Sequence, residues 1–265
     1  MRVVYGVHPV RELLSAEGEG PAELWVAEGG QRGGALAELS RRARSRGAKV
    51  RAAPRARLDR LAGTDRHQGV VAVVADFRYA LLEELWAGAA EAGSEPLLVV
   101  LDGVEDPHNL GAVIRSALAL GAHGVVIPRD RAVGVTPAVA KASAGAVERC
   151  RVARVVNLSQ TLRALKDAGI WSVALAQDAE RPLPSLDLRG PTALVLGSEG
   201  EGLRPLVRSC CDLAARIPMS SDLESLSVSA AAAISLYEVA RQRGYAIGSS
   251  QGPTLARDSA VDKTP

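Results

Sequence analysis

The chain has 265 residues, enough for one large domain or two ordinary ones, and 47% of them are hydrophobic. Its formal net charge is only +2, no apolar run approaches the ~20 residues that cross a bilayer, and the N-terminus lacks the layout of a signal peptide. We therefore expect a cytoplasmic protein with no membrane segment. Because aromatic residues make up only 3%, its core must be built from Val, Leu, Ala and Ile.

The first 76 residues are predicted to form a small α/β domain. A first strand leads into a helix with Val10, Leu13 and Leu14 on one face, and the run 69–77 has the continuous apolar character of a buried strand. Between them the pattern predicts a strand at 23–28, a helix at 34–46 and a strand at 48–53. Such alternation indicates a partly parallel sheet.

Basic residues are concentrated between positions 40 and 60, where nine of them stand against the single acid Asp59. This excess is too dense for a balanced helix face and is typical of surfaces that bind phosphate backbones. The alternative is a solvated surface in an arginine-biased sequence. We favour nucleic acid, and the candidate RNA-binding residues are Arg41, Arg42, Arg44, Arg46 and Arg51.

Residues 77–95 are predicted to be a linker that contains a helix and a break with Gly and Ser, and 244–265 a disordered tail. The domain between them, 96–243, alternates strands and helices, which predicts a mostly parallel sheet covered by helices on both faces. Its strands are predicted at 96–104, 123–128, 150–157, 171–178, 192–197 and 213–219, and its helices at 108–122, 136–147, 158–169, 202–210 and 227–243.

Three loops follow strands of this sheet, at 102–110, 197–202 and 220–227. Ligands of parallel sheets bind beyond the carboxyl ends of the strands, so we expect these loops to converge on a site. The three cysteines have neither disulfide nor metal-ligand spacing and are interpreted as thiols in a reducing compartment. No metal is expected at the site.

Two polar residues of the first loop and the helix that follows it are candidates for a catalytic or binding role. Asn109 lies near the predicted helix start, where Asn also serves as an N-cap. Arg115 lies among apolar residues in a helix that we expect to be largely buried, so it needs an anion or an acceptor. The alternative role for Arg115 is a salt bridge to one of four acids, namely Asp102, Glu105, Asp106 or Glu199.

The second loop has the sequence GSEGEGL and lets the backbone approach a ligand closely. It lacks the GK[ST] ending of a P-loop, and its acidic residues oppose a pyrophosphate. A ligand with a positive centre and an adenosine or amino-acid part suits it better.

Taken together, these segments resemble the SpoU/TrmH family of RNA ribose 2′-O-methyltransferases in the SPOUT superfamily. Asn109 and Arg115 match its first motif, 197–203 its glycine-rich loop, and the segments IPM and SLSVSAA its third motif. KASAGA at 141–146 resembles the ribosomal-RNA branch of the family, and the resemblance taken over nearly the whole chain is to the 23S rRNA guanosine-2′-O-methyltransferase group. YGVHPV and HQGVVA in the N-terminal half resemble its L30e-like RNA-binding domain.

The resemblance implies a homodimeric enzyme that holds S-adenosylmethionine in a deep trefoil knot and methylates a ribose 2′-hydroxyl in RNA. It implies a cofactor cradle of backbone groups at Leu196, Gly197, Ile217, Met219 and Leu226. It assigns activation of the hydroxyl to Arg115, orientation of Arg115 or the ribose to Glu199, and loop or substrate contacts to Asn109. Because a guanidinium stays protonated, Arg115 is expected to stabilise the alkoxide or to act with a phosphate as proton acceptor.

Two positions depart from the family pattern: Ser227 stands where the family has Asn, and Ser221 where it often has Gly.

Three alternatives to an rRNA ribose methyltransferase stay open. One is a tRNA ribose methyltransferase, although tRNA-specific relatives usually lack the N-terminal domain. The others are a non-catalytic RNA-binding or assembly protein that kept the fold, and a generic nucleotide-binding α/β enzyme.

Overall fold

A computed structural model of the protein describes residues 1–16, 20–30, 33–91, 93–220 and 226–244. The predicted tail after Gly244 and most of the third loop, 221–225, lie outside the described residues. Two sheets organise the described part of the chain, one near each terminus.

The N-terminal unit is built on a four-stranded sheet of order β1-β4-β2-β3. Its elements are β1 (Arg2–Tyr5), α1 (Val7–Ser15), β2 (Glu23–Ala27), α2 (Gly34–Ser45), β3 (Lys49–Ala53), α3 (Arg55–Ala62) and β4 (Val70–Val74). Strands β2 and β3 are parallel, whereas β4 is antiparallel to both β1 and β2. The prediction of a partly parallel sheet is therefore confirmed.

Each face of this sheet is covered by helices. On one face α1 and α2 pack against the strands, and Val10, Leu13 and Leu14 are buried there as predicted. On the other face lies α3, which the sequence analysis missed. Leu58 is the one buried residue of α3, and most of the others are polar, so the apolar periodicity that would have revealed this helix is nearly absent.

The C-terminal unit is built on a six-stranded sheet of order β10-β8-β9-β5-β6-β7. Its elements are α4 (Glu84–Glu91), β5 (Leu97–Asp102), α5 (Pro107–Ala119), β6 (Gly124–Pro128), α6 (Pro137–Ala142), β7 (Val152–Val155), α7 (Leu158–Asp167), β8 (Trp171–Leu175), β9 (Thr192–Gly197), α8 (Pro205–Ser209), β10 (Leu213–Ala215) and α9 (Val228–Gln242). Every neighbouring pair of these strands is parallel.

Helices cover both faces of the second sheet, as predicted. In β5 the residues Leu97, Val99 and Leu101 face a core shared with α5, α6 and α9, while Leu98 and Val100 face one shared with α4, α7 and α8. This alternation buries the strand on both sides and explains its continuous apolar sequence. Among the described residues no helix is long and apolar enough to cross a membrane.

The helix predicted at 136–147 is shorter than expected. It ends at Ala142 and is followed by a 3-10 turn, Ala146–Glu148. Gly145 between them has a φ of 90° and lies against the N-terminal unit, where an added Cβ would stand 2.8 Å from the Pro9 Cα. Close approach of the two units therefore interrupts this helix.

The first residues of the predicted linker pack along β7 and do not form an exposed connection. The backbone N–H of Ala80 donates to the Val152 carbonyl at 2.9 Å, and the rings of Phe77 and Tyr79 meet edge to face at 5.1 Å. Beside them Arg2 pairs with the buried carboxylate of Glu148 at 2.6 Å. These contacts attach the N-terminal unit to the edge of the second sheet.

Candidate active site

The carboxyl ends of β8, β9 and β10 surround a cavity of about 380 Å³. The five residues predicted to hold the cofactor all line it, namely Leu196, Gly197, Ile217, Met219 and Leu226. Residues 175–178, at the carboxyl end of β8, and Arg208 form a further wall that was not predicted. The signal was available, because these residues also lie at the carboxyl end of a strand of the parallel sheet.

The glycine-rich loop after β9 is folded tightly back on itself. Ser198 and Gly202 exchange two backbone hydrogen bonds, of 3.2 and 3.0 Å. A Cβ on Gly197 would lie 2.0 Å from the Gly202 carbonyl carbon, so only glycine fits at the start of this loop. The loop therefore presents its backbone along the cavity wall.

An ion pair anchors the end of this loop to the neighbouring strand. Asp102, the last residue of β5, is buried, and its Oδ1 accepts a hydrogen bond from Arg204 Nε at 2.7 Å. Its Oδ2 accepts the backbone N–H of Arg204 at 3.0 Å. Asp102 was one of the acids considered as a partner of Arg115, and the structure pairs it with Arg204 instead.

Asn109 joins two of the three predicted loops. Its Nδ2 donates to Glu199 Oε1 at 3.0 Å, and its Oδ1 accepts a hydrogen bond from Ser229 Oγ at 2.9 Å. The N-cap of α5 is Asp106, which accepts from the backbone N–H of His108, so the alternative role of Asn109 as N-cap is wrong. Ser229 was not among the predicted site residues, although it lies within the SLSVSAA segment.

Arg115 is exposed, and the expectation of a largely buried position is wrong. Successive residues of an α-helix point about 100° apart, so the burial of Val113, Ile114 and Ala117 turns Arg115 outward. No hydrogen bond or ion pair joins its side chain to another residue in the described part of the chain. The structure thus brings Asn109 and Glu199 together but leaves Arg115 apart from them.

A second cleft, of about 350 Å³, lies on the other side of Glu199. It is lined by residues 103–106 and by Asn109, and it shares Glu199 and Val228 with the first cavity. The backbone N–H of Val228 donates to Glu199 Oε1 at 3.3 Å. Glu199 therefore stands between two spaces, each large enough for part of a ligand.

The charged residues that line the two spaces are mainly acidic. Glu199 and Glu201 line both of them, and Glu105 and Asp106 line the second. The hydrogen bond from Arg208 lowers the pKa of the Asp178 carboxyl at the rim of the first cavity, so that group is ionised at neutral pH. Such a cavity favours a ligand with a positive centre, as the sequence suggested.

The departure at position 227 has a structural account. Ser227 is the N-cap of α9, and its Oγ accepts the backbone N–H of Ala230 at 3.2 Å. Asn and Ser are among the best N-cap residues, so a serine can perform this structural task in place of an asparagine. Ser221 lies outside the described residues.

Four of the five candidate RNA-binding arginines lie on or next to α2, but they are not equivalent. Arg41 and Arg44 are exposed, whereas Arg42 donates to Ser15 Oγ at 2.7 Å. Arg46 donates to the carbonyl oxygens of three residues at the end of α1, namely Leu13, Leu14 and Ala16. Arg46 therefore caps a helix within the N-terminal unit.

Arg51 lies on the opposite face of the N-terminal sheet. It pairs with Glu23 at 3.1 Å and stacks over the Trp25 ring at 5.4 Å, where Arg57 approaches at 5.3 Å. The basic run in the sequence therefore divides between two surfaces, because the chain crosses from α2 through the sheet edge to α3.

No group of three or more His, Cys, Asp or Glu residues in the described ranges could hold a metal ion. Of the three cysteines Cys150 is buried, and burial raises the pKa values of the Cys150 and Cys211 thiols to about 12.

Comparison with known proteins connects this geometry to a family. The profile described as SpoU rRNA Methylase family matches residues 96–237, and the one described as RNA 2'-O ribose methyltransferase substrate binding matches 3–80. The putative TrmH family tRNA/rRNA methyltransferase YacO of Bacillus subtilis is 44% identical over 91% of this chain and 95% of its own. The 23S rRNA (guanosine-2'-O-)-methyltransferase RlmB of Xylella fastidiosa (strain 9a5c) is 44% identical over 91% and 96%.

A solved structure agrees with these relatives. The SpoU methyltransferase AviRb from Streptomyces viridochromogenes, in complex with the cofactor AdoMet, superposes with a TM-score of 0.76 at 28% identity. The match covers 92% of this chain and 91% of that one, so both units take part in it. The chain described here belongs to the SpoU rRNA Methylase family.

Proposed function

We propose that this protein transfers the methyl group of S-adenosylmethionine to the ribose 2′-hydroxyl of a guanosine in 23S rRNA. The similarity to RlmB, which extends over both units, supports this reaction and substrate. The structural observation that carries the proposal is the position of Glu199 between two adjoining spaces. One space suits the cofactor and the other the ribose, so the reacting atoms would meet beside Glu199 and Asn109.

The first cavity is the proposed cofactor site. S-adenosylmethionine supplies an electrophilic methyl group on a positively charged sulfur, and the acidic walls favour that charge. The apolar side chains of Leu196, Ile217, Met219 and Leu226 would pack against the cofactor, while the tight loop after Gly197 would place backbone groups against it. The deep trefoil knot of the family stays a prediction for this chain.

Asn109 and Glu199 are the proposed positioning pair for the ribose. Each polar atom of the Asn109 amide is engaged, one with Glu199 and the other with Ser229, so its orientation is fixed. Holding the hydroxyl in line with the methyl group and excluding water would account for much of the acceleration. Through Ser229, Asn109 also joins α5 to α9 at the edge of the second cleft.

Arg115 is the proposed stabiliser of the developing alkoxide. Its guanidinium stays protonated in a protein, so it is no base, but a positive donor group lowers the energy of an oxyanion. Because Arg115 points to solvent in the single chain, we propose a homodimer in which it reaches the site of the other subunit. The exposed Ile234 (42%) and Tyr237 (49%) on the adjacent α9 support an interface there.

The N-terminal unit is proposed to bind rRNA away from the reacting nucleotide, in the cytoplasm. The exposed Arg41 and Arg44 on α2, together with Arg42, are its proposed phosphate contacts, and Arg51 is one on the opposite face. Arg46 is left out because its guanidinium caps α1. The profile for RNA substrate binding that residues 3–80 match supports this role.

Transfer of labelled methyl groups from S-adenosylmethionine tests the proposal. We expect labelling of 23S rRNA, recovered as 2′-O-methylguanosine after digestion to nucleosides, and no labelling of tRNA. Label in tRNA alone would overturn the ribosomal assignment. Label in neither RNA, with cofactor binding retained in calorimetry, would leave the non-catalytic RNA-binding alternative.

A further inference from the structure

A row of exposed arginines follows the outer edge of the C-terminal sheet, and the proposed function does not use it. Strand β7 forms that edge, and Arg154 lies within it. The other members precede β7 or follow its neighbour β6. This β7 strip consists of Arg129, Arg131, Arg149, Arg151 and Arg154, all exposed.

The five arginines of the β7 strip outnumber the carboxylates around it. Between positions 129 and 154 the acids are Asp130 and Glu148, and Glu12 of α1 pairs with Arg149. The Glu148 carboxylate is buried and engaged by both terminal nitrogens of Arg2, at 2.7 and 2.6 Å, so it does not offset the exposed arginines. The strip therefore presents excess positive charge to solvent.

One end of the β7 strip meets the second cleft. The loop after β6 carries Arg129 and Arg131, and its Val133 donates a backbone hydrogen bond to the Val104 carbonyl at 3.0 Å. Val104 lines that cleft together with Asn109. Arg131 itself has a φ of 55°, a conformation that a residue with a side chain keeps only when its surroundings fix it.

The other end of the β7 strip meets the N-terminal unit. Arg149 lies 3.4 Å from the Glu12 carboxylate of α1. Beside it, a groove of about 460 Å³ separates β7 from α4 and is lined by Arg78, Arg149 and Arg151. The arginines thus connect the proposed RNA-binding unit with the edge where the proposed reaction occurs.

Contacts along the strip hold its middle in place. The Arg154 guanidinium donates to the Arg129 carbonyl at 2.8 Å and lies over the Tyr79 ring at 5.6 Å. The Tyr79 hydroxyl in turn accepts the backbone N–H of Val135 at 2.9 Å. A charged surface whose parts are fixed in this way loses less side-chain entropy when it binds.

We propose that the β7 strip binds the phosphate backbone of the substrate RNA between the N-terminal unit and the second cleft. The inference rests on the proposed function. The cleft is lined by the carboxylates of Glu105, Asp106, Glu199 and Glu201, which repel phosphates, so those flanking the target ribose need cationic partners outside it. Arginine meets phosphate with paired planar donors, which suits this role.

Two double variants test the strip, Arg129→Gln/Arg131→Gln at the cleft and Arg151→Gln/Arg154→Gln along β7. If two contacts to single-stranded phosphates are lost, the plot of log affinity against log salt concentration becomes less steep by about 1.4. This change corresponds to roughly tenfold weaker binding at 0.15 M salt. We expect the KM for 23S rRNA to rise roughly tenfold in each variant. The Kd for S-adenosylmethionine should not change, and Arg151→Lys/Arg154→Lys should restore most of the affinity.

The matched control is Arg163→Gln/Arg181→Gln, which removes two exposed positive charges elsewhere. Arg163 lies on α7, which packs with α4 and α8 on one face of the C-terminal sheet. Arg181 lies near β10, at the edge of the sheet opposite β7. The proposed role of the strip would be overturned if the KM and the salt slope were unchanged in both strip variants, or if the KM of the control rose equally. Both results assume an enzyme that still methylates rRNA. Wild-type protein that methylates no RNA would overturn the proposed function itself.

Discussion

The Asn109 Nδ2 donates a hydrogen bond to Glu199 Oε1 at 3.0 Å, which ties the helix after β5 to the loop after β9. Ser229 completes the connection from α9 through its hydroxyl. The Asn109 amide therefore links three chain segments that are distant in sequence. It does so beside Glu199, which lines both spaces.

Asn109→Asp should break the hydrogen bond to Glu199, although the Asn and Asp side chains have nearly the same shape. The variant exchanges the donor for a second carboxylate next to Glu199, and like charges at hydrogen-bond distance repel. We expect kcat/KM for rRNA to fall at least about tenfold, equivalent to a loss of about 1.4 kcal/mol. Asn157→Asp is the control, because Asn157 caps α7 and Asp caps equally well. Equal activities of the two variants would contradict the role of Asn109.

Arg115→Ala should abolish activity while leaving the fold intact. The side chain is exposed and has no partner in the described part of the chain, so the midpoint of thermal unfolding should not move. Removal of a donor to an oxyanion lowers kcat by about 100-fold or more. A loss of cofactor affinity or a lower unfolding midpoint would instead indicate a structural role.

Mixed dimers test whether Arg115 acts across a subunit interface. Co-expression of Arg115→Ala with Asn109→Asp gives heterodimers in which one site combines an intact Asn109 with the intact Arg115 of the other subunit. We expect such mixed dimers to be more active than either variant alone. If Arg115 acts within its own subunit, both sites stay defective and the mixture is no more active than Asn109→Asp alone.

Ser227 should be replaceable by asparagine but not by alanine. Ser227→Ala removes the N-cap of α9 and should cost about 1 kcal/mol, or about 2–4 °C in the unfolding midpoint of a domain this size. Ser227→Asn should leave the midpoint unchanged, since Asn caps equally well. Methyl transfer by Ser227→Asn at the wild-type rate would show that the amide adds nothing to catalysis here.

Stability should decline as the pH falls from 7 to 5, in part because of His123. Burial lowers the pKa of His123, and the Arg243 guanidinium lowers it further. The unfolded chain therefore binds a proton near pH 6.5 more readily than the folded protein, so acid favours unfolding. His123→Gln keeps an acceptor for the backbone N–H of Leu97 and should show a shallower decline. Parallel curves of midpoint against pH would refute this contribution.

Much of the fold could be predicted because burial leaves a direct trace in sequence. The runs VVAVV and LLVVLD are strands buried on both faces, and each stands out as an unbroken apolar stretch. The exception was α3, in which Leu58 is the one fully buried residue and Leu61 and Ala62 pack beside it only partly buried. Four of its eight residues are charged, so its short apolar face gives only a weak periodic signal.

The candidate site could be predicted only in part. The rule for parallel sheets correctly placed the loop with Asn109 beside the loop with Glu199. The direction of the Arg115 side chain was missed because apolar neighbours in sequence are not neighbours on a helix surface. The division of the basic run was missed because its two surfaces arise from the path of the chain around a sheet.

The segment that joins the two units has one more consequence, which concerns aggregation. An edge strand such as β7 offers unpaired N–H and C=O groups on which the strand of another molecule can add. The chain from Phe77 to Ala80 occupies this edge, and the N–H of Ala80 already bonds to Val152. The arginines at positions 151 and 154 add charge, which further disfavours an incoming strand. The connection between the units thus also protects the sheet from edge-to-edge association.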